Sequence, residues 1–292
     1  MNALRPLLSG IVDYAGLFPP TALDMAAAVR NFAEYRHDPE SWMLGRFVVP
    51  VSRLGELAEA LAAAEIDDGE WLISALLGDD PAGDVFRVRS FNDFNEGHAY
   101  VDMLEGKLAT PSAITTAASV TDGDFALFAE IPIDPDPAPL VAAIADARIN
   151  AKIRTGGVTP DAFPRAEHVV RFMRTCVAKH VVFKATAGLH HPLRSEHRLT
   201  YAADAPRGMM YGYLNVFLAA ALLDQLADAE VVALLEEGDA RAFEVTRDAV
   251  RWRDHEARVD QLGATRDLVA ASFGSCSFRE PVDELRDLSL LS

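Results

Sequence analysis

Two lysines lie inside apolar, strand-like segments, where a charged side chain is unusual. Lys152 occurs in NAKIRTGG at residues 150–157, and Lys184 occurs in VVFKATAGL at residues 181–189. A buried lysine is costly unless a carboxylate pairs with it or it loses its proton. On neighbouring strands about 4.8 Å apart, the like charge and the burial would lower the pKa of both amines. A neutral amine attacks a carbonyl carbon to form an imine, so the pair predicts Schiff-base chemistry.

Glu130, in the segment FAEIPI, is the expected partner of Lys152. A carboxylate on a neighbouring strand would hold the ammonium group as a structural ion pair, and this is the alternative for either lysine taken alone. The second role open to Glu130 is that of a general base. We therefore predict Lys152, Lys184 and Glu130 as catalytic residues. Asp102 and Glu105 are the carboxylates at the end of the fourth strand-like segment, and we expect at least one of Asp102, Glu105 and Glu130 to lie within hydrogen-bond reach of Lys152.

Further polar residues lie at the ends of the same strand-like segments or directly after them. His190 and His191 follow the segment that contains Lys184, and adjacent histidines on an extended chain point in opposite directions. The residues expected to contact substrate are Asp13, Arg154, Thr155, Thr186, His190, His191, Ser275 and Ser277.

The elements that must position these residues alternate between strand and helix along the chain. This order is typical of a parallel sheet with helical crossovers, and eight such units favour a closed (β/α)8 barrel, or TIM barrel, as one domain over residues 1–292. An open doubly wound sheet is the alternative, but no glycine-rich dinucleotide motif follows the first strand. The predicted strands are residues 10–15, 45–51, 71–78, 99–106, 125–133, 150–157, 181–189 and 270–278.

A long insertion, residues 190–260, separates the seventh strand from the eighth. Its first part, residues 190–210, is rich in His, Arg and Gly, and we expect it to fold over the barrel mouth as a lid with His190 or His191 facing the cavity. Helices are predicted for the remainder, over residues 211–227, 229–237 and 239–257.

Composition excludes several classes of protein. The 292 residues carry a formal net charge of −17, which repels phosphate backbones and argues against nucleic-acid binding. The most apolar stretch is interrupted by Asp224, Asp228 and Glu230, so no membrane association is expected. Two cysteines are too few for a disulfide framework, and the sequence begins without a signal-peptide pattern, so we expect a cytoplasmic protein.

Several motifs resemble those of the deoxyribose-phosphate aldolase family. KIRTGGVTPDAFPRAEHVVRFMR is similar to its Schiff-base segment, a Lys-Thr-Ser-Thr-Gly run followed by a helix, and FKATAGL to its second lysine run, Lys-(Ala/Pro)-x-Gly-Gly. IVDYA, VDMLEG and FGSCSF resemble its first, fourth and last strands. The resemblance implies that Lys152 forms the imine, Lys184 lowers its pKa and Asp102 relays protons, with no cofactor and no metal. Arg154 and Ala187-Gly188 depart from the family pattern, so the substrate and a phosphate site are not implied.

Three functions follow from these residues. The leading one is an aldolase-like carbon–carbon lyase that acts on a small carbonyl substrate, with or without an anionic group, through Lys152. The second is a metal-dependent lyase or hydrolase that uses His190 or His191 with Glu130. The third is a non-catalytic barrel that binds an anionic metabolite through Lys152, Arg154 and Lys184. A homo-oligomer remains one option for the assembly.

Overall fold

Eight parallel strands close into a barrel within residues 3–66 and 68–291, which the computed structural model describes. The last barrel strand pairs with both the seventh and the first, which closes the ring and defines a (β/α)8, or TIM, barrel, as the sequence predicts. The barrel strands are β1 Val12–Tyr14, β2 Leu44–Pro50, β3 Trp71–Leu76, β4 Ala99–Lys107, β5 Ala126–Glu130, β6 Asn150–Arg154, β7 Phe183–Thr186 and β13 Ala270–Ser275. The strands of the insertion, between β7 and β13, are β8 Ser195–Arg198, β9 Arg207–Met210, β10 Phe243–Val245, β11 Ala249–Trp252 and β12 His255–Arg258.

The first and last strands are shorter than predicted. Residues 10–15 contribute only Val12–Tyr14, because Gly10 adopts a left-handed φ of 59° that ends the extended backbone. Residues 270–278 contribute Ala270–Ser275, because the chain turns after Ser275 into the final helix.

Helices surround the barrel on its outside. The side-chain carboxylate of Asp24 accepts a hydrogen bond from the Ala27 backbone N–H at 2.7 Å and so caps the first long helix. None of the helices in the described part of the chain combines the length and apolar character that a membrane span requires. The helices are α1 Leu4–Leu8, α2 Met25–Arg36, α3 Leu54–Ala63, α4 Pro81–Phe94, α5 Pro111–Thr121, α6 Ala138–Asp146, α7 Ala166–Ala178, α8 Tyr213–Leu222, α9 Asp228–Leu235, α10 Val259–Leu268 and α11 Arg279–Asp287.

The insertion begins with a hairpin at the carboxyl end of the barrel. Strands β8 and β9 form this antiparallel hairpin inside the segment predicted as a loop. Leu199, just after β8, and Met210, in β9, line a cavity together with the carboxyl ends of barrel strands. The hairpin therefore lies over the barrel mouth, where the sequence predicts a lid.

The prediction of a third helix in the insertion is wrong. Residues 239–257 form a short 3-10 turn and most of a three-stranded antiparallel sheet, β10–β11–β12. Buried and charged residues alternate here, since Val250 and Trp252 are buried whereas Arg251 between them is exposed. This period of two fits a half-buried strand, and it outweighs the helix-forming character of the individual residues.

Asn215 holds the insertion together. Its fully buried side chain donates to the backbone oxygens of Leu234 and Glu237 at 2.7 and 2.9 Å, and its Oδ1 accepts from the Arg194 N–H at 3.0 Å. Asn215→Leu keeps the branched shape and the number of side-chain heavy atoms but leaves three backbone groups without their partner, so we expect a loss of about 3 kcal/mol in the free energy of unfolding. Urea unfolding measures it. Gln225→Leu, at an exposed position in the turn after α8, is the control, and equal midpoints for the two variants would contradict the assignment.

Candidate active site

The two lysines lie in one buried cluster of charges inside the barrel. The Lys184 Nζ donates to Asp13 Oδ2 at 2.5 Å and to Glu105 Oε1 at 2.6 Å. The Lys152 Nζ lies 2.6 Å from Glu105 Oε2 and 2.9 Å from Glu130 Oε2. Glu105 therefore bridges the two ammonium groups. With three carboxylates for two lysines, the ionised cluster carries one excess negative charge.

Strand register explains why these side chains meet. Glu130 on β5 is level with Lys152 on β6, which is level with Lys184 on β7. On the other side, Lys107 on β4 is level with Glu130. Residues in register on parallel strands point to the same face of the sheet, so one row of the barrel interior carries Lys107, Glu130, Lys152 and Lys184.

The pKa of Lys152 is raised, contrary to the expectation that Lys184 lowers it. Burial alone would lower the pKa of this lysine, but the charges of Glu105 and Glu130 and their hydrogen bonds outweigh burial. Burial likewise favours a higher pKa for Glu105, yet the two lysines hold the pKa of this carboxyl well below its usual range. Lys152 and Glu105 are therefore held in their charged forms, and a neutral Lys152 requires proton transfer to a neighbouring carboxylate.

A cavity of about 370 Å³ opens above this cluster. Its base includes the side chains of Glu105, Glu130, Lys152 and Lys184, and its rim carries the cations Lys107 and Arg154. An adjoining recess shares Lys107, Glu130 and Arg154 with it. Within residues 3–66 and 68–291, neither of the two rim cations has an ion-pair partner. The other wall residues include Phe18, Thr186, Gly188, His190, Leu199, Met210, Gly274 and Cys276.

Asp13 lies behind Lys184 and is fully buried. In addition to Lys184, it accepts hydrogen bonds from the Ser272 hydroxyl at 2.6 Å and from the Arg46 backbone N–H at 2.8 Å. These contacts fix its carboxylate in place, so Asp13 orients Lys184 and does not border the cavity itself.

Asp102 is not brought together with the lysines. Its carboxylate forms two hydrogen bonds with the Arg46 guanidinium, at 2.7 and 2.5 Å, in the amino-terminal halves of β2 and β4. Ile73 pairs with Val101 and Ser74 with Met103, so Asp102 is the extra residue of a β-bulge. Glu105, and not Asp102, is the β4 carboxylate that lies between the two lysines. It is nearer the carboxyl end of β4, where the active sites of such barrels lie.

Other predicted substrate contacts serve structural hydrogen bonds. The Thr155 hydroxyl donates to the Ala187 carbonyl at 2.8 Å, and the Ser277 hydroxyl accepts from the Glu280 N–H at 3.2 Å. His191 Nδ1 lies 2.7 Å from Glu284 Oε1. The Ser275 hydroxyl lies 3.3 Å from His190 Nδ1 and is 1% exposed. These four residues are not among the described residues that line the cavity, whereas Arg154, Thr186 and His190 are.

The three residues of the predicted metal site lie in different environments. Glu130 pairs with Lys152, His191 pairs with Glu284, and His190 contacts Ser275 and Glu280. Across the described ranges, no group of three or more His, Cys, Asp or Glu side chains has an arrangement that could hold a metal ion.

Comparison with known proteins does not assign this chain to a family. The sequence matches no protein-family model, and no curated protein is significantly similar to it. A solved lysine/ornithine decarboxylase complexed with cadaverine, from Vibrio vulnificus, is 12% identical over 93% of this chain and 58% of its own, with a TM-score of 0.43. A mandelate oxidase with 3,3-difluoro-2-hydroxy-3-phenylpropionic acid is 11% identical over 77% and 70%, with a TM-score of 0.39. At these values the likeness carries no argument about the reaction, and the assignment of the fold rests on the strand order.

Proposed function

We propose that the protein is an enzyme that forms an imine between Lys152 and a small carbonyl substrate and uses it to cleave or form a carbon–carbon bond. The observation that carries this proposal is the placement of Lys152 at the base of the cavity, with its Nζ within 2.9 Å of two carboxylates. The similarity of its segment to the Schiff-base segment of the deoxyribose-phosphate aldolase family also supports it, although no family model matches.

Glu130 is the proposed base that frees the amine. Lys152 is its one ion-pair partner in the described part of the chain, and its side chain is 11% exposed at the cavity. Transfer of a proton from the ammonium of Lys152 to Glu130 turns a charged pair into a neutral one. Burial makes this transfer easier than it would be in water, because it disfavours the charged forms of both groups. The amine can then attack the carbonyl carbon.

Loss of water from the resulting carbinolamine gives a cationic iminium. Glu130 returns its proton to the departing hydroxyl, and as a carboxylate it can next accept a proton from the substrate's α-carbon or hydroxyl. The iminium withdraws the electron pair released when a carbon–hydrogen or carbon–carbon bond breaks. Glu105 and Lys184 hold Lys152 in position throughout.

A barrel that binds an anionic metabolite without catalysis is the competing function. The raised pKa of Lys152 favours it, since a charged lysine serves binding and not nucleophilic attack. The rim cations Lys107 and Arg154, which have no ion-pair partner among the described residues, would suit either function.

Exchange of α-protons for deuterium separates the two functions without knowledge of the natural substrate. The protein is incubated in D2O with a panel of small aldehydes and ketones, with and without a carboxylate group, and the α-proton signals are followed by NMR. If the protein forms an imine, the carbonyl compound loses its α-proton signals faster than it does in buffer alone, because the enamine takes up deuterium from the solvent. Binding without exchange across the panel would support the non-catalytic barrel and contradict the proposal.

Removal of either rim cation should weaken binding of an anionic substrate. For Arg154→Ala and for Lys107→Ala we expect KM for a carboxylate-bearing carbonyl compound to rise ~10-fold each, with little change in kcat, because a charge-assisted hydrogen bond is lost. Arg165→Ala is the matched control, since Arg165 borders the adjoining recess and pairs with Glu167. An unchanged KM in both rim variants would show that the substrate carries no anion at this position.

A further inference from the structure

A cysteine borders the same cavity as the lysines. Cys276 directly follows β13, and its side chain is among the cavity-lining groups. The second cysteine, Cys176, lies in α7 and is 0% exposed, against 5% for Cys276. The two thiols are both free, so the chain contains its own comparison between a thiol at a cavity and a thiol in the core.

Polar side chains from different elements contact the Cys276 thiol, and a carboxylate links two of them. The Sγ lies 3.9 Å from Nδ1 of His190, which follows β7, and 3.8 Å from the hydroxyl of Tyr201 in the hairpin loop. Glu280, on α11, places Oε2 3.4 Å from the same His190 nitrogen and accepts a hydrogen bond from Tyr201 at 3.3 Å. With the Ser275 hydroxyl 3.3 Å away, His190 Nδ1 is shared among a thiol, a carboxylate and a hydroxyl.

The electrostatics of this group favour an imidazolium. Burial would lower the pKa of His190, but its contacts with Cys276 and Glu280 outweigh burial and raise the pKa to about 9. Burial would raise the pKa of Cys276, yet the hydrogen bond and charge of His190 lower it. A proton held on the imidazole thus leaves a thiolate beside it.

The remaining groups that face Cys276 are neutral. They are the hydroxyl of Thr21 and the hydroxyls of three tyrosines. Burial raises the pKa of each of the three tyrosines. Among the described residues, His190 is therefore the one cation in contact with the thiol, and Glu280 is the anion that holds His190 in its charged form. The tyrosines are Tyr14, Tyr35 and Tyr201.

We propose that Cys276 is a second nucleophile of this cavity, a thiolate paired with the His190 imidazolium, and that it takes a small soft electrophile such as an α,β-unsaturated carbonyl compound. In the reaction, a sulfur–carbon bond forms at the β-carbon of the electrophile as the carbon–carbon π bond breaks. The proton that His190 holds then goes to the α-carbon, so no oxidant or reductant is needed. The proposal uses none of the ion pairs of Lys152 and stands independently of imine chemistry.

Acrylamide tests the proposal, because it is a small conjugate acceptor that forms no imine with lysine. The intact protein is treated with it between pH 6 and 9, and peptide mass spectrometry follows both cysteines in the same sample. We expect Cys276 to react at least ~10-fold faster than Cys176, with a pH midpoint below the value of about 8.5 for an ordinary thiol. Equal rates at the two cysteines, or a midpoint at or above that of an ordinary thiol, would overturn the proposal.

Two histidine variants test the role of the pair. In His190→Gln the rate at Cys276 near pH 7 should fall ~10-fold and its pH midpoint should move upward, because the cation that stabilises the thiolate is gone. His191→Gln is the matched control, since His191 pairs with Glu284. Equal effects of the two variants would contradict the pairing with His190. If His190→Gln does not fold, the pH profile of the wild-type protein still decides the proposal.

Discussion

Lys152→Arg should lower the rate of α-proton exchange by ~10⁴-fold or more, because it removes the nucleophile itself. Arginine keeps a positive charge beside Glu105 and Glu130, so the ion pairs of the cluster persist. The guanidinium does not lose its proton near neutral pH and cannot form the imine. The comparison therefore separates nucleophilic chemistry from charge.

The measurement is the exchange rate under saturating carbonyl compound, with circular dichroism and the unfolding midpoint recorded in parallel. Lys179→Arg is the matched control, since Lys179 lies exposed at the end of α7, away from the cavity. If Lys152→Arg folds normally and retains a tenth of the wild-type rate, Lys152 is not the nucleophile.

Glu105→Gln should destabilise the protein by ~3–5 kcal/mol at pH 7. Glu105 is 3% exposed and is the carboxylate that both ammonium groups share. An amide cannot balance these charges, so the variant keeps two buried lysines with one carboxylate each, Glu130 and Asp13. Urea unfolding measures the loss. Glu167→Gln is the control, because Glu167 pairs with Arg165 at the surface and its removal should leave the midpoint nearly unchanged.

The same carboxylate predicts how stability depends on pH. The pKa of Glu105 in the folded protein lies below the ordinary value of 4.5. Its contribution to the free energy of unfolding is therefore complete above about pH 4.5 and is lost as the pH falls further. Glu105→Gln should remove this part of the acid dependence. A variant that is as stable as the wild type at pH 7 and equally sensitive to acid would contradict the bridging role.

The barrel and the meeting of the two lysines were predictable because both depend on local patterns. Apolar strands alternating with helices define the fold, and Lys152 and Lys184 occupy equivalent places on consecutive strands, which the register confirms. The pKa of Lys152 was not predictable in this way. Glu130 was the expected partner of Lys152, but the pKa is also raised by Glu105 on β4. Which residues of β4 point inward depends on the bulge at Asp102.

The surroundings of Cys276 could not be predicted from the sequence either. The thiol contacts His190 and Tyr201, which lie more than seventy positions earlier in the chain, so no local motif marks it. The antiparallel sheet at Phe243–Arg258 was missed for a different reason. In a segment this short, the spacing of the apolar residues is compatible with a helix as well as with strands.

Borohydride trapping tests the imine proposal most directly. The chain has four lysines, Lys107, Lys152, Lys179 and Lys184, so a reduced adduct can be assigned to one of them by peptide mass spectrometry. The protein is incubated with the carbonyl compound that shows the fastest α-proton exchange and is then reduced with borohydride. We predict that the adduct forms on the peptide that contains Lys152 and is absent from Lys152→Arg. An adduct confined to other lysines, or present at equal levels in the wild type and in Lys152→Arg, would contradict imine formation at Lys152.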